Sequence, residues 1–429
     1  MWRIVVVLAL ALAGCGYDRP DFQDSPGAVI RVHQDGLPGF DHDTFFPVGL
    51  YHALTGPHFG RTYSLATAAE AGFNTVHLWE LQDLGPAVAE ARRLGLRIIR
   101  HDPTDAEVAR YAGDPVILGW CVDEEPSMFV SEADTPARLA TFRARRARIH
   151  ALDPGHPVFA IDSAVAMKPS HRARWERWLR QGDVSAHFNY PVLATPFPAD
   201  TLDTSRGIPA SVSEAVAAAG QRPVLVLVQA FASPTHGWAM PRPEQLRAMT
   251  YAAVVHGAAG IVFFAEDSFV TRDGQVLGIA PYPAADYGPI PDFDGDHRPP
   301  LAAGAADLEQ SRRLWGEAGR LARQLTGLAP DLLAPTARFP YAVAIRGHSA
   351  SPAPVRTLLK GSGDRLTLLV VNLDDDPMAL RLLPGRPLAA IDAVVGPAPH
   401  RSPRPGAWDA ELEPYGVRVW RLHPAGGTP

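Results

Sequence analysis

The sequence predicts a (β/α)8 TIM barrel of the α/β class, followed by a small all-β sandwich. Short apolar runs alternate with helical patterns over residues 29–335, and polar side chains follow nearly every run. After Pro335 the helical patterns stop and short β-type segments take their place. Strict alternation implies parallel strands joined by right-handed crossovers, and eight such units match a closed barrel. A doubly wound sheet is the alternative, but no Gly-x-Gly-x-x-Gly motif follows the first strand.

Short apolar runs give the barrel strands, because buried parallel strands read as continuous hydrophobic segments. The predicted strands are Phe46–Tyr51, Asn74–Trp79, Leu96–Arg100, Val116–Val122, Pro157–Ile161, Asp183–His187, Pro223–Val228 and Gly260–Phe264. Helical patterns follow them, and glycines mark the ends of the first two helices. The predicted helices are Tyr63–Ala71, Asp83–Leu94, Asp105–Tyr111, Thr135–Leu152, His171–Leu179, Ser211–Ala219, Pro243–His256 and Ala303–Thr326.

Residues 336–425 form the predicted sandwich. Turn signals such as Gly361-Ser362-Gly363 separate its short segments, and no long helix intervenes, which favours an antiparallel arrangement. The predicted strands are Tyr341–Arg346, Val355–Lys360, Leu366–Asn372, Ala379–Leu383 and Val417–Leu422.

The N-terminus has the pattern of a secretory signal. Ile4–Ala13 is apolar, but it is too short to span a bilayer as a stable helix. Leu12-Ala13-Gly14-Cys15 resembles a bacterial lipobox, which implies lipidation of Cys15 and a membrane anchor for the mature chain. Residues 1–15 are then the signal peptide, and residues 16–28 are a tether. Gly16 after the cysteine implies, by the same resemblance, the outer membrane of the cell envelope. An ordinary signal peptide with an incidental cysteine is the alternative.

Composition narrows the possible partners. A net charge of −6 over 429 residues argues against nucleic acid. Cys121 is the only cysteine besides Cys15, so with Cys15 lipidated no intramolecular disulfide is available, and Cys121 is expected in the core. No His-x-His motif ends the first strand, which argues against a metal-dependent amidohydrolase. We expect no metal and no cofactor.

Three consecutive acids, Asp123, Glu124 and Glu125, end the fourth predicted strand and precede Pro126. Neighbouring carboxylates repel one another, and catalytic chemistry is the usual reason to keep them at a strand end. The alternative is an acidic start to the next helix, capped by Glu125 or Ser127. We predict a catalytic role and expect crowding to raise the pKa of Glu125.

Polar and aromatic residues also follow the other strands, and in a barrel these strand ends converge on the face that carries active sites. Glu266 is a further catalytic candidate. The predicted substrate-binding residues are Tyr51, His52, Trp79, Glu80, His101, Asp162, His187, Asn189, Tyr190, Gln229, Trp238 and Asp267. The aromatic rings among them suit stacking on sugar faces, whereas His77 is expected to be a satisfied core histidine.

Glu124-Glu125-Pro126 after Trp120 resembles strand four of clan A glycoside hydrolases, where an Asn-Glu pair, often followed by proline, supplies the acid/base. Tyr190 after strand six resembles a tyrosine that contacts the nucleophile in that clan. The segment Phe45–Leu50 and the barrel-plus-sandwich order are similar to the clan's β-galactosidase-like members. The resemblance implies hydrolysis of O-glycosyl bonds in a carbohydrate substrate, with Glu125 as general acid/base.

Two positions depart from that pattern. Glu124 replaces the asparagine, and Gln229 ends strand seven, where the clan places its nucleophilic glutamate. Glycoside cleavage still needs an acid and a second group at the oxocarbenium-like centre. That group could come from strand eight (Glu266 or Asp267), from Glu80 or Asp162, or from the substrate. Asp123-Glu124 has the spacing of hexosaminidases that use the substrate's 2-acetamido group. A barrel that binds glycan without cleaving it is the alternative function.

Overall fold

The computed structural model describes residues 5–7, 30–32, 38–40, 45–58, 61–79, 83–163, 171–194, 202–203, 207–233, 236–266, 268–271, 274–279, 305–346 and 354–425. Three of the predicted site residues, Cys15, Glu80 and Asp267, lie outside these ranges, as does the whole of the predicted tether, residues 16–28.

Eight parallel strands close into a barrel, which confirms the predicted fold. The strands are β1 (Val48–Leu50), β2 (Thr75–Leu78), β3 (Arg97–His101), β4 (Ile117–Glu124), β5 (Val158–Ser163), β6 (Val184–Asn189), β7 (Val224–Gln229) and β8 (Gly260–Phe264). The closing pair is β8 with β1, in which Ile261 pairs with Val48. All eight carboxyl ends therefore lie around one mouth.

Helices surround the barrel. They are α1 (Ala66–Ala71), α2 (Leu84–Leu94), α3 (Asp105–Arg110), α4 (Pro126–Phe129), α5 (Thr135–Leu152), α6 (Arg172–Leu179), α7 (Ile208–Ala219), α8 (Pro243–Val255) and α9 (Ala305–Leu333). Local chemistry sets several ends. The Asp83 side chain accepts from the Gly85 amide at the start of α2, and Gly95 ends that helix with a φ of 72°.

The barrel interior is a packed apolar core. Interior side chains include Ile99, Phe159, Leu225 and Leu227, all buried. The opposite face of the same strands packs against the helices, as Val226 and Val228 do. This alternation follows from the two-residue period of a strand, and it decides which polar residues reach the mouth.

The C-terminal strands form two antiparallel sheets, as the sequence predicts. They are β9 (Tyr341–Arg346), β10 (Val355–Ser362), β11 (Arg365–Asn372), β12 (Met378–Pro384), β13 (Leu388–Val395), β14 (His400–Arg401), β15 (Trp408–Leu412) and β16 (Val417–Pro424). One sheet has the order β10-β11-β16-β13. In the other, β9-β12-β15-β14, the outer edge of β9 pairs with Val5–Val7, a segment within the predicted signal peptide.

The sandwich packs on the helical layer of the barrel. Leu369, Val371 and Val419 belong to the same buried cluster as the barrel helices. Asp331 on α9 accepts hydrogen bonds from the Thr367 hydroxyl at 3.0 Å and from the Arg421 guanidinium at 3.3 Å. Apolar and polar contacts therefore both join the two parts.

Candidate active site

The acidic end of β4 is shaped by a β-bulge. Phe159 pairs with Cys121, but the next paired residue, Ile161, faces Glu124, so β4 carries one extra residue between the two pairs. Asp123 and Glu125 have positive φ angles of 69° and 50°. Bulges re-aim side chains, and left-handed non-glycine residues cluster at functional sites. The bulge thus sets the directions of the two glutamates.

Positive φ angles also occur at neighbouring strand ends. His52 after β1 has a φ of 59°, and Asp102 after β3 has a φ of 38°. These two residues, Asp123 and Glu125 all lie at the barrel mouth. Such conformations are costly, so their concentration at one rim favours a functional site there.

The Asp123 carboxylate forms an ion pair with a residue of helix α5 and therefore does not point only into the mouth. Arg138 on α5 donates to both of its carboxylate oxygens, at 2.7 and 2.8 Å. The Glu124 amide donates to the same carboxylate at 3.1 Å. The predicted catalytic residue Asp123 therefore fixes the bulge, and its charge is compensated by Arg138.

Glu124 is oriented by a tyrosine from the first strand. The Tyr51 hydroxyl donates to Glu124 Oε1 at 2.7 Å. The Tyr51 ring is buried and stacks on His77 with a centroid distance of 3.7 Å and an interplanar angle of 9°. Burial, and then the charge of Glu124, raises the pKa of Tyr51 well above its usual value. Tyr51 therefore stays protonated and remains a donor.

Glu125 occupies the N-cap position of the short helix α4, but its side chain makes no capping hydrogen bond. Its amide donates to the Ile161 carbonyl at 3.0 Å, which ties the turn to β5. Burial raises the pKa of Tyr190, and the charges of Glu125 and Glu124 raise it further. Tyr190 after β6 is therefore close enough to feel the charge of both glutamates, whereas the resemblance implies contact with the strand-seven nucleophile, a position that Gln229 occupies here.

Asp162 supports this turn from beneath. Its side chain is buried and accepts from the Ser127 hydroxyl at 2.7 Å and from the Ser127 amide at 3.3 Å. The carboxylate therefore anchors the start of α4. These contacts give the predicted substrate-binding residue a supporting role.

Aromatic rings line the mouth. Phe264 at the end of β8 lies 5.3 Å from the Tyr51 ring, 5.3 Å from the His52 ring and 5.5 Å from the Tyr190 ring, centroid to centroid. Trp79 packs edge-on against His52 at 4.8 Å, and Trp238 packs edge-on against Tyr190 at 5.7 Å. Trp79, Trp238 and Phe264 are partly exposed, so their rings are open to a ligand that stacks on aromatic faces.

Two predicted binding residues of β6 point away from the mouth. His187 is fully buried against the Trp175 ring of α6, at 5.7 Å. Asn189 donates to the Ser211 hydroxyl of α7 at 3.1 Å. Both lie on the helix-facing side of the strand, so the structure corrects their assignment. Burial lowers the pKa of His187 to about 3, and this histidine stays neutral in the folded chain.

Gln229 at the end of β7 is bonded to backbone and not presented to a ligand. Its amide oxygen accepts from the Val192 amide at 2.9 Å, and its amide nitrogen donates to the Val192 and Ala239 carbonyls at 3.0 and 2.9 Å. The side chain is completely buried. The expected contact with sugar is therefore corrected: Gln229 joins the loops that follow β6 and β7.

Glu266, the remaining described catalytic candidate, follows β8. The residue is 4% exposed, and its amide donates to the Tyr51 carbonyl at 2.9 Å. This backbone hydrogen bond places Glu266, which follows β8, beside Tyr51, the residue that orients Glu124.

A buried cluster beneath the mouth was not anticipated. His77, His101 and Cys121 each offer one ligand atom, and these atoms lie within 4.8 Å of one another. His77, read from the sequence as a satisfied core histidine, has no hydrogen-bond partner for either ring nitrogen among the described residues. Burial lowers the pKa of His77 well below its usual value, and it lowers that of His101 to about 4. The sequence signal for this cluster is that its three residues occupy interior positions on the consecutive strands β2, β3 and β4.

No protein-family model matches the sequence, and no curated protein matches it. Many solved structures match the fold of this chain, and two of them are described here. One, described as "Glycoside hydrolase", is 12% identical with a TM-score of 0.54, and the match covers 94% of this chain and 98% of that chain. A β-galactosidase from Bacillus circulans sp. alkalophilus is 10% identical with a TM-score of 0.53, covering 88% of this chain and 99% of that chain. At such low identities, the two TM-scores above 0.5 show a shared fold and nothing more.

Proposed function

We propose that the protein hydrolyses a glycosidic bond in an oligosaccharide or polysaccharide, with Glu125 as general acid/base. The observation that carries the proposal is the bulged end of β4. It holds Glu124 and Glu125 at the barrel mouth, between Tyr51 and Tyr190. The two solved structures named above support it, because one is described as a glycoside hydrolase and the other as a β-galactosidase.

The arrangement supplies the parts that the reaction needs. Glu125 protonates the leaving oxygen, and a second carboxyl group stabilises the oxocarbenium-like centre. We assign the second role to Glu266, because its backbone is bonded to Tyr51, which orients Glu124. The partly exposed rings of Trp79 and Trp238 hold the sugar by stacking.

The test is a screen of chromogenic glycosides and polysaccharides, with binding measured in parallel, followed by kinetics of Glu125→Gln. Loss of a general acid costs about 100- to 10,000-fold in rate. The loss should be smaller on substrates with a good leaving group, because these need less protonation. Glu411→Gln, on the exposed surface of the sandwich, is the matched control and should keep wild-type turnover. Near-wild-type turnover by Glu125→Gln on a poor leaving group would exclude Glu125 from the role.

A glycan-binding barrel without catalysis is the second candidate, and Gln229 favours it. The end of β7 presents no carboxylate, since the Gln229 amide is bonded to backbone on both sides. Binding of a polysaccharide that the protein never cleaves, with equal affinity in wild type and Glu125→Gln, would support this function and contradict hydrolysis.

We also propose that a lipid on Cys15 anchors the chain in the bacterial cell envelope, at the outer membrane, where it faces the cell surface or the periplasm. The segment Leu12–Cys15 supports this location. Among the residues that the structure describes, no helix is long and apolar enough to cross a membrane. Wild type should incorporate labelled fatty acid and partition with membranes, whereas Cys15→Ser should do neither. Equal labelling of the two proteins would refute the anchor.

A further inference from the structure

Three potential ligands converge inside the barrel, below the acidic end of β4. His101 on β3 and Cys121 on β4 are direct register partners, and His77 on β2 pairs with Ile99, two residues before His101. The two-residue period of strands puts all three side chains on the interior face. Their ligand atoms lie within 4.8 Å of one another.

The cluster is sealed from solvent. His77 is 1% exposed, His101 7% and Cys121 0%. Both ring nitrogens of His77 and Nδ1 of His101 find no hydrogen-bond partner among the described residues. Buried polar atoms are normally bonded, and a group without a partner calls for an explanation such as an ion. One ligand atom from each of the three residues lies within 4.8 Å of the others, which distinguishes this cluster from isolated exceptions.

We propose that His77, His101 and Cys121 bind one Zn²⁺ ion. Two imidazoles and a thiolate are ligands that Zn²⁺ prefers, whereas Ca²⁺ and Mg²⁺ require oxygen ligands. Binding replaces the S–H bond of Cys121 with an S–Zn bond, and the proton leaves to solvent. Three protein ligands leave one position of the tetrahedron for a water molecule or another small ligand.

Distances and charges are compatible with the ion. Zn²⁺ with bonds of about 2.0–2.3 Å holds its ligand atoms about 3.3–3.8 Å apart, so ligand atoms that lie within 4.8 Å of one another need to approach by at most about 1–1.5 Å. A small cavity of about 10 Å³ borders His77. The nearby cation, Arg100, is compensated by Glu107, whose carboxylate accepts from its guanidinium at 2.7 Å.

The ion would link the barrel interior to the proposed catalytic rim. Tyr51 stacks on His77 and donates to Glu124, so fixing His77 also fixes the tyrosine that orients the glutamate. Zinc therefore acts on positioning and on the stability of β2, β3 and β4. The proposal does not depend on what the site hydrolyses.

The full-length chain is stripped with a chelator, dialysed against Zn²⁺ and analysed for bound metal. We expect one Zn²⁺ per chain and a rise in Tm. The Co²⁺-loaded chain should show a thiolate-to-cobalt charge-transfer band. Cys121→Ser should lose the band and at least nine-tenths of the bound zinc, while Cys15→Ser should keep both.

His187→Gln is the matched control, because His187 is also buried and neither of its ring nitrogens has a hydrogen-bond partner in the described part of the chain, but it lies outside the cluster. It should bind zinc as wild type does. His77→Gln gives a second test if Cys121→Ser does not fold. Wild-type chain without stoichiometric zinc, or equal zinc in Cys121→Ser and His187→Gln, would overturn the proposal.

Discussion

One hydroxyl group connects the apolar interior of the barrel to its acidic rim. Tyr51→Phe removes the donor to Glu124 but keeps the ring that stacks on His77. Hydrogen bonds to charged groups contribute about 1.5–3 kcal/mol, so we expect a loss of that order in the free energy of unfolding, measured in urea. Turnover should also fall, because Glu124 loses its orientation.

Tyr341→Phe is the control for this change. The Tyr341 hydroxyl shares a hydrogen bond of 2.9 Å with Thr357 in the sandwich, far from the rim. Its loss should cost about 0.5–1.5 kcal/mol of stability and leave turnover unchanged. Equal effects of the two variants on turnover would show that the Tyr51 hydroxyl has no special role.

The hydrogen bonds of the Gln229 amide allow a sharper prediction for the variant Gln229→Glu. Gln229→Glu replaces an amide that donates to the Val192 and Ala239 carbonyls with a group that, when ionised, only accepts. Each unsatisfied buried group costs about 1–3 kcal/mol, so we expect the variant to lose at least about 2 kcal/mol and to gain no turnover. A stable variant with raised activity would instead mean that the carboxylate acts as a nucleophile.

Whether the sequence correctly predicted that a residue lies at the mouth depended on the direction of its side chain. Tyr51, Tyr190 and Trp238 were expected at the mouth and lie there. His187 and Asn189 follow the same strand-end pattern, but they face helices. Strand ends identify which residues are near the mouth, while the two-residue period decides which of them point into it. A bulge or a twist at the strand end shifts this two-residue alternation, and the sequence pattern does not reveal the shift.

At the scale of elements, α5 holds the bulge of β4 in place. Arg138 donates to both oxygens of Asp123. Arg138→Gln therefore leaves the negative charge of Asp123, whose backbone is left-handed, uncompensated at the rim. Arg138 is half exposed, and such ion pairs contribute only about 0–1 kcal/mol. We therefore expect a small loss of stability in urea, accompanied by a larger loss of turnover, about tenfold or more.

Arg148→Gln is the control on the same helix. Arg148 pairs with Asp105, which Arg145 also binds. This variant should match Arg138→Gln in stability and wild type in turnover. If Arg138→Gln kept full turnover, the bulge would not depend on its ion pair.

Elements with strong sequence signals were predicted closely. The fifth helix, Thr135–Leu152, begins and ends as the sequence indicates. The short helix α4 is absent from the predicted helices, because Pro126 reads as a stop to the strand. The alternative interpretation of the acidic triplet does place a helix start at Glu125 or Ser127, and Glu125 is the N-cap residue of α4, with proline in its first turn. Helix α9 continues past the expected Thr326 to Leu333 and contains Pro330. Packing against the barrel and the sandwich outweighs the local cost of proline there.

At the scale of the whole molecule, buried histidines make stability depend on pH. Burial lowers the pKa of five histidines: His52, His77, His101, His187 and His256. Each binds its proton more weakly when folded, so the unfolded chain takes up more protons below about pH 6.5 and stability falls as pH falls. Near pH 5 the three histidines whose pKa is lowered to about 3–4, His101, His187 and His256, each cost about 2 kcal/mol, a large sum against a total of about 5–15 kcal/mol.

The measurement is the free energy of unfolding between pH 7 and pH 5. His187→Gln should flatten the curve, since the pKa of His187 is lowered to about 3. A wild-type chain equally stable at pH 7 and pH 5 would contradict the neutral, buried state of these histidines.

The largest structural unit is the barrel together with its sandwich, and we expect the two to unfold as one. Leu369, Val371 and Val419 share their buried cluster with the barrel helices, so separating the domains exposes apolar surface that costs about 25 cal/mol per Å². Denaturation followed by barrel and sandwich probes should therefore give coincident transitions. Asp331→Ala, which removes the acceptor for Thr367 and Arg421, should lower the common midpoint. Two separate transitions in wild type, or a stable isolated fragment 336–425, would show that the sandwich folds independently of the barrel.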